Sequence, residues 1–421
     1  MYGLLGKTLG HSFSKIIHET MTPSMDYHLY ETSDLKNFFR ARPFKAINVT
    51  HPYKEACMPF LDALDKTAKE AGVVNTIIDE EGKLVGYNTD YLALKQLIQN
   101  SFPSKRNTRV GIIGNGATSK SITKALLALG YAKPHIFARH PKKDEHALEG
   151  IEEFSSIEVL IQATPVGMFP NNDQTFAFSL ESFPNLNLVF DLIYNPLKTH
   201  LLLEAEDLGI QAINGLEMLV EQARESQKRF FKDYTPMAKE DLLDTLRRKI
   251  TNLVLIGLPF SGKSHFGRLL KERLDKPLVD IDQVVEDTEN APIHAIFQKK
   301  GEPYFRELEE AKVMDVAKRY GQIIVPGGGI VLSKVAMDAL RQNGIIVFLD
   351  LSLDLIDEEM MRGRPLAESL DDLANLKKKR QPLYERYADF IISKDTWDEK
   401  TITARIEEAL NEYFDSERTQ S

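Results

Sequence analysis

The chain has 421 residues, 43% of them hydrophobic, with 53 Lys and Arg against 62 Asp and Glu and a formal net charge of −9. At roughly 150 residues per domain this length points to two or three domains, and the apolar fraction excludes a disordered or fibrous chain. The acidic balance argues against a nucleic-acid partner, the lone cysteine, Cys57, can form neither an internal disulfide nor a thiolate zinc site, and no apolar run reaches the roughly 18 residues of a membrane span. Met1–Lys7 lacks the basic segment and apolar stretch of a signal peptide. The expectation is a cytoplasmic protein in a reducing compartment, with small-molecule substrates and no membrane or nucleic-acid partner. The oligomeric state is left open.

In chain order, the first polar clusters are Gly10-His11-Ser12-Phe13-Ser14, Asn48-Val49-Thr50-His51-Pro52-Tyr53-Lys54, Val74-Asn75-Thr76 and Gly86-Tyr87-Asn88-Thr89-Asp90. Arg109–Ile113 reads as a strand running into Gly114-Asn115-Gly116-Ala117, a glycine turn that opens a helix. The usual third glycine of a dinucleotide turn is absent, with Ser119 in that region. The next strand, His135–Ala138, ends in Arg139-His140-Pro141-Lys142-Lys143. An acidic residue at that point suits a free ribose 2′-hydroxyl, whereas Arg139 favours the 2′-phosphate of NADP. Thr164-Pro165-Val166-Gly167-Met168, Asp191-Leu192-Ile193-Tyr194-Asn195-Pro196 and Gly215-Leu216-Glu217-Met218 follow. A charged helical stretch from about Glu217 to Lys249 then leads to a domain boundary near residue 249, after which most of the acidic excess falls.

The second half opens on the apolar strand Asn252–Ile256 and Gly257-Leu258-Pro259-Phe260-Ser261-Gly262-Lys263-Ser264, the pattern of a phosphate loop. Backbone N–H groups of such a loop cradle phosphates, Lys263 bridges the terminal ones and Ser264 ligates Mg²⁺. Alternation along Leu278–Asp282 predicts Asp280 and Asp282 on one strand face. Arg306, in Gly301-Glu302-Pro303-Tyr304-Phe305-Arg306, can fork onto a carboxylate. Strand Ile323–Val325 leads into Gly327-Gly328-Gly329, where a ligand can approach the backbone. Lys377-Lys378-Lys379 reads as a solvated helix face.

The second-half order G-x-x-x-x-G-K-S, D-x-D, G-E-x-x-F-R-x-x-E, G-G-G, R-P-L and R-x-P-L-Y resembles shikimate kinase. That resemblance implies ATP at Gly257, Ser261, Gly262, Lys263 and Ser264, with Mg²⁺ at Ser264 and Asp280. It implies shikimate at Asp282, Arg306, Gly328, Gly329 and Arg380, with Asp282 as base or orienting group and Arg364 as the lid arginine. The first-half motifs resemble shikimate dehydrogenase over residues 1–240. This implies a substrate site of Ser12, Ser14, Thr50, Asn75 and Gln222, and a catalytic pair Lys54 and Asp90. It also implies NADP(H) at Gly114, Gly116, Ala117, Arg139, Thr164, Gly215 and Met218. Hydride addition to a ketone leaves an alkoxide, and an ammonium held by a carboxylate supplies both charge stabilisation and a proton.

The fold implied is α/β throughout: a two-lobed dehydrogenase followed by a P-loop, NMP-kinase-like parallel domain. The boundaries expected are 1–98 plus 217–249 for an α/β substrate lobe, 99–216 for a Rossmann-like NADP lobe, and 250–421 for the kinase. The function implied is a bifunctional enzyme, an oxidoreductase that reduces 3-dehydroshikimate to shikimate and a transferase that phosphorylates it. Departures from the family patterns are Tyr91-Leu92 after N-T-D, Gln162 in Gln162-Ala163-Thr164-Pro165, Ser121, Phe260 in place of a glycine, and a short lid at Met360-Met361-Arg362-Gly363. Three alternatives are weighed: a dehydrogenase that prefers quinate or NAD, a catalytically impaired, regulatory kinase-like half, and a scaffold or interaction protein with no catalysis, against which Lys54, Asp90, Lys263 and Asp282 argue. His11 and His51 are expected in supporting rather than acid–base roles.

Overall fold

The computed structural model describes residues 1–10, 12–103, 107–231, 234–356, 369–396 and 398–420. It divides into two compact units, Met1–Leu243 and Asp244–Ser421. The division falls inside the helix Lys239–Ile250, a few residues before the boundary expected near 249. The charged stretch 217–249 is two helices, Leu216–Phe230 and Lys239–Ile250, and not one run. Pro236 lies between them; its missing N–H and its clash with the preceding residue disfavour a continuous helix.

The first unit holds two sheets. In spatial order the first comprises Tyr27–Glu31, Tyr2–Gly6, Ala46–Val49, Thr76–Glu80, Lys83–Tyr87 and Ala63–Leu64. It is mixed: Tyr2–Gly6 runs parallel to both neighbours, while Ala46–Val49, Thr76–Glu80 and Lys83–Tyr87 pair antiparallel. Every residue of Ala46–Val49 is buried, as expected of a central strand covered on both faces. The helix Thr89–Ser101 starts at Asn88, whose side chain accepts from the Tyr91 N–H at 2.7 Å. Its Leu94, Leu97 and Ile98 pack on Val110, Ile112, Val159 and Ile161, joining the two lobes through one apolar core.

The second sheet is parallel throughout, ordered Gln211–Ile213, Leu188–Asp191, Val159–Gln162, Val110–Ile113, His135–Ala138, His146–Ala147. Counted within the lobe, this is the doubly wound order 3-2-1-4-5-6, whose switch point lies between Val110–Ile113 and Val159–Gln162. Ligands bind such sheets beyond the carboxyl ends of the strands at that point.

The second unit is a five-stranded parallel sheet, Leu278–Asp280, Ile323–Val325, Asn252–Ile256, Gly344–Leu351, Phe390–Lys394. Its central strand is buried on both faces. Leu253 and Leu255 join Phe266, Ile402 and Ile406, while Val254 and Ile256 join Phe305, Val313 and Tyr384. The strand bearing Asp280 ends there, and the helix Ile281–Glu289 begins at the next residue. Asp280 and Asp282 are therefore not alternate residues of one strand face. Asp280 caps the helix, its carboxylate accepting from the Asp282 N–H at 3.1 Å, because a carboxylate there satisfies an otherwise unpaired first-turn donor.

Candidate active site

A cavity of about 1080 Å³ lies at the switch point of the second sheet, lined by Gly114, Asn115, Gly116, Ala117, Arg139 and Thr164. A smaller cavity of about 200 Å³ is lined by Ser12, Ser14, Asn75, Asp90, Tyr194 and Gln222. Thr50, Lys54 and Thr118 line both. Gly215 and Met218, expected at the dinucleotide, line the smaller cavity and not the larger one. A Cβ at Gly215 would overlap the Leu192 carbonyl oxygen, so only glycine lets the helix Leu216–Phe230 start this close to that loop.

Lys54 sits on the short helix Tyr53–Ala56 and Asp90 in the first turn of Thr89–Ser101. Lys54 Nζ donates to Asp90 Oδ2 at 2.6 Å, with the two side chains 17% and 10% exposed. The helix N-terminus favours the Asp90 carboxylate. Asn75 is held in place: its Nδ2 donates to Thr89 Oγ1 at 3.0 Å and its Oδ1 accepts from the Thr89 N–H at 2.7 Å. Ser12 Oγ donates to Ser14 Oγ at 3.1 Å. Burial raises the Tyr194 pKa, while its hydrogen bond to the Ser12 side chain pulls the other way. The helix Ala117–Ala128 starts at Gly116 with no side-chain cap, so its first N–H groups are available to an anion. Asn115 donates to Glu145 at 2.8 Å and to the His140 carbonyl at 3.2 Å, folding the basic turn back onto the glycine turn.

In the second unit a cavity of about 830 Å³ brings together Lys263, Ser264, Asp280, Asp282, Arg306, Gly328, Gly329 and Arg380. Ser264 Oγ donates to Asp280 Oδ2 at 2.5 Å. A hydroxyl beside a carboxylate is an oxygen donor set suited to Mg²⁺. Lys263 Nζ donates to the Gly257 and Leu258 carbonyls at 2.9 and 3.0 Å. Arg306 pairs with Glu309 at 2.6 Å and Glu302 at 3.1 Å. Glu309 is buried, which raises its pKa against the lowering effect of Arg306. The glycine run forms a wall: a Cβ at Gly327 would overlap Glu309, and one at Gly329 would overlap the Arg306 guanidinium. Arg380 is buried and donates to the Gly328 carbonyl at 3.1 Å. Gly262 lines the cavity, whereas Gly257 and Ser261, expected at the nucleotide, do not; Ser261 is fully buried.

Comparison with known proteins follows the same division. A family model described as "Shikimate dehydrogenase substrate binding domain" matches residues 4–77, and one described as "Shikimate kinase" matches residues 259–411. The NADP(+) shikimate dehydrogenase of Clostridium beijerinckii is 35% identical over 244 residues, 54% of this chain and 90% of that protein. The chain belongs to the shikimate dehydrogenase family. Its second unit carries a shikimate kinase domain. The Halothermothrix orenii shikimate dehydrogenase is 32% identical over 59% of this chain and 95% of its own length. Among solved structures, shikimate dehydrogenase 1 from Peptoclostridium difficile is similar at a TM-score of 0.52 and 32% identity, covering 58% of this chain and 95% of that one. The Thermus thermophilus shikimate 5-dehydrogenase in complex with NADP(H) and shikimate matches at 0.51 and 27%, covering 59% and 98%.

Among the cavity-lining residues of the dehydrogenase half to which the sequence assigned no role is Tyr194, which stood in the quoted D-L-I-Y-N-P run. In the kinase half Glu309 lines the cavity, and Tyr384 stands behind its glycine wall; both lie inside quoted motifs. Tyr384 donates to the Gly328 carbonyl beside Arg380, and burial pushes its pKa up to about 12. Cys57 is buried, with its thiol pushed up to about 12 by burial, as suits a small apolar side chain. His51 lines the larger cavity. Lys377 is not simply solvated: it pairs with Asp350 at 2.9 Å, while Lys378 and Lys379 are exposed. Arg364, the lid 360–363 and His11 lie outside the described residues. No helix among the described residues is long and apolar enough to cross a membrane.

Proposed function

We propose that the first unit reduces 3-dehydroshikimate to shikimate with NADPH, and that the second transfers a phosphoryl group from MgATP to the shikimate 3-hydroxyl. The observation that carries the first reading is the Lys54–Asp90 pair, whose lysine lines both cavities and whose aspartate lines the smaller one. The uncapped helix start at Gly116 and the nearby Arg139 fit a dinucleotide with a 2′-phosphate. NADPH supplies the hydride and MgATP the phosphoryl group when bound. Lys54 then protonates the developing alkoxide while Asp90 holds its ammonium in place. Ser12 and Ser14 bind the substrate carboxylate, and Thr50, Asn75 and Gln222 bind its hydroxyls.

In the second unit, Lys263 and Ser264 face the phosphates and their metal, with Asp280 supporting the metal. Asp282 orients or deprotonates the 3-hydroxyl, and Arg306 and Arg380 hold the carboxylate. The product of the first reaction is the substrate of the second. One incubation of the full chain with 3-dehydroshikimate, NADPH and MgATP, read by mass spectrometry, tests both. The expected product is shikimate 3-phosphate, and no shikimate at all would overturn the dehydrogenase reading.

One observation favours a second reading, in which the kinase half binds nucleotide without turnover. Phe260 occupies a backbone conformation with φ of 69°, a strained value for a bulky residue. Binding of MgATP together with shikimate accumulating without its phosphate would establish that reading.

A further inference from the structure

The strand Phe390–Lys394 closes one edge of the kinase sheet with an alternating pattern in which Ile392 and Lys394 point inward. A lysine at an inward position of an apolar strand is costly, and cost without a partner is not maintained. Lys394 is 1% exposed. Its amine donates to the Ser261 carbonyl at 3.0 Å and lies 5.0 Å from the centre of the Phe266 ring. Burial lowers its pKa to about 8, with the charge of Lys263 acting in the same direction, so it is mostly protonated at neutral pH.

Ser261 is the residue before Gly262 in the phosphate loop. Gly262, Lys263 and Ser264 line the nucleotide cavity, and Lys394 does not. The amine therefore reaches the loop from behind. A trans peptide is planar, and its C=O and N–H point in opposite directions. Fixing the Ser261 oxygen toward Lys394 turns the Gly262 N–H of the same peptide to the opposite side, where the loop meets a phosphate. The charge of Lys263 acts unfavourably on the Lys394 ammonium.

We infer that Lys394 is a positioning residue for the phosphate loop, orienting the Ser261–Gly262 peptide so that its N–H binds the nucleotide phosphates. This rests on the kinase reading above. The residue falls outside every motif by which phosphate loops are recognised, since it arrives from the last strand of the sheet.

The test measures MgATP and shikimate affinity separately by calorimetry on the full chain, for wild type, Lys394→Met and Lys394→Gln. Binding is read in preference to turnover, so the result does not depend on an active kinase. Losing a charge-assisted hydrogen bond should weaken MgATP about tenfold or more in Lys394→Met. Shikimate affinity should stay within about twofold, and Lys394→Gln, a shorter uncharged donor, should fall between. Reduction of 3-dehydroshikimate by the same samples serves as an internal reference for intact protein. MgATP affinity within about twofold of wild type in either variant overturns the inference. Parallel loss of shikimate affinity in both variants also overturns it, because that pattern marks a lysine that only holds the fold. If Lys394→Met yields no folded kinase unit, Lys394→Gln decides by the same criteria. A wild-type chain that binds no MgATP removes the kinase reading itself, and the inference with it.

Discussion

At the scale of single residues, Lys54 is assigned to proton transfer at the substrate carbonyl. Lys54→Ala should lower the rate of 3-dehydroshikimate reduction by about 10²–10⁴-fold, the usual contribution of a positioned acid. A steady-state assay with NADPH checks this, and near-normal reduction would remove Lys54 from the chemistry. Arg139 is exposed at the rim of the larger cavity, where a 2′-phosphate would pair with it. Arg139→Ala should raise the KM for NADPH about tenfold while changing that for NADH little, and equal losses would defeat the assignment. Asp191 is fully buried and accepts from Thr199 Oγ1 at 2.6 Å and the Ile193 N–H at 2.9 Å. Burial raises its pKa to about 7, against the opposing effect of those two donors. Because the folded value exceeds the unfolded one of about 3.9, its protonated form favours the fold at low pH. That contribution is lost as pH rises from about 4 through 7. Melting curves over this range should show wild type losing stability relative to Asp191→Asn, and parallel curves would refute the shift.

Secondary-structure elements carry a second kind of legibility. The phosphate loop, the glycine turn and the buried strands were readable because each is a local pattern whose spacing is set by backbone geometry. The relation between Asp280 and Asp282 was not, since a period of two assumes that the strand continues, and here a helix cap ends it. Tyr194 escaped for a related reason: its place in the smaller cavity comes from the path of a loop, which has no period to read. Gly215 and Met218 were found by motif, and that they line the smaller cavity is a matter of three-dimensional arrangement that spacing does not encode. Asp280 serves two purposes, capping Ile281–Glu289 and accepting from Ser264. Asp280→Ala should cost about 1 kcal/mol in stability through the lost cap. It should also weaken the Mg²⁺ dependence of nucleotide binding, whereas Asp280→Ser, which restores a cap, should recover only the stability. Denaturation and metal titration separate the two effects.

On the scale of the whole molecule, each cavity is lined entirely by residues of its own unit. The two activities should therefore be separable by point mutation. Lys263→Ala should abolish phosphate transfer and leave reduction unchanged, measured on one sample with both assays. A matched loss of reduction would show that the units depend on each other. The sequence divided the chain correctly into two enzymes because each half carries a complete run of motifs. The division between the compact units falls inside a single helix, with no loop or glycine to announce it.

The wall at Gly327–Gly329 is made of side chains that are missing, and room for one there comes only from moving the ends of the side chains that face it. The smallest substitution at Gly327 or Gly329 already runs into Glu309 or Arg306. A different polyol could instead be fitted elsewhere on the same cavity, at Glu286, Ile293, His294 and Phe297, where existing side chains can be trimmed without displacing the Arg306–Glu309 pair.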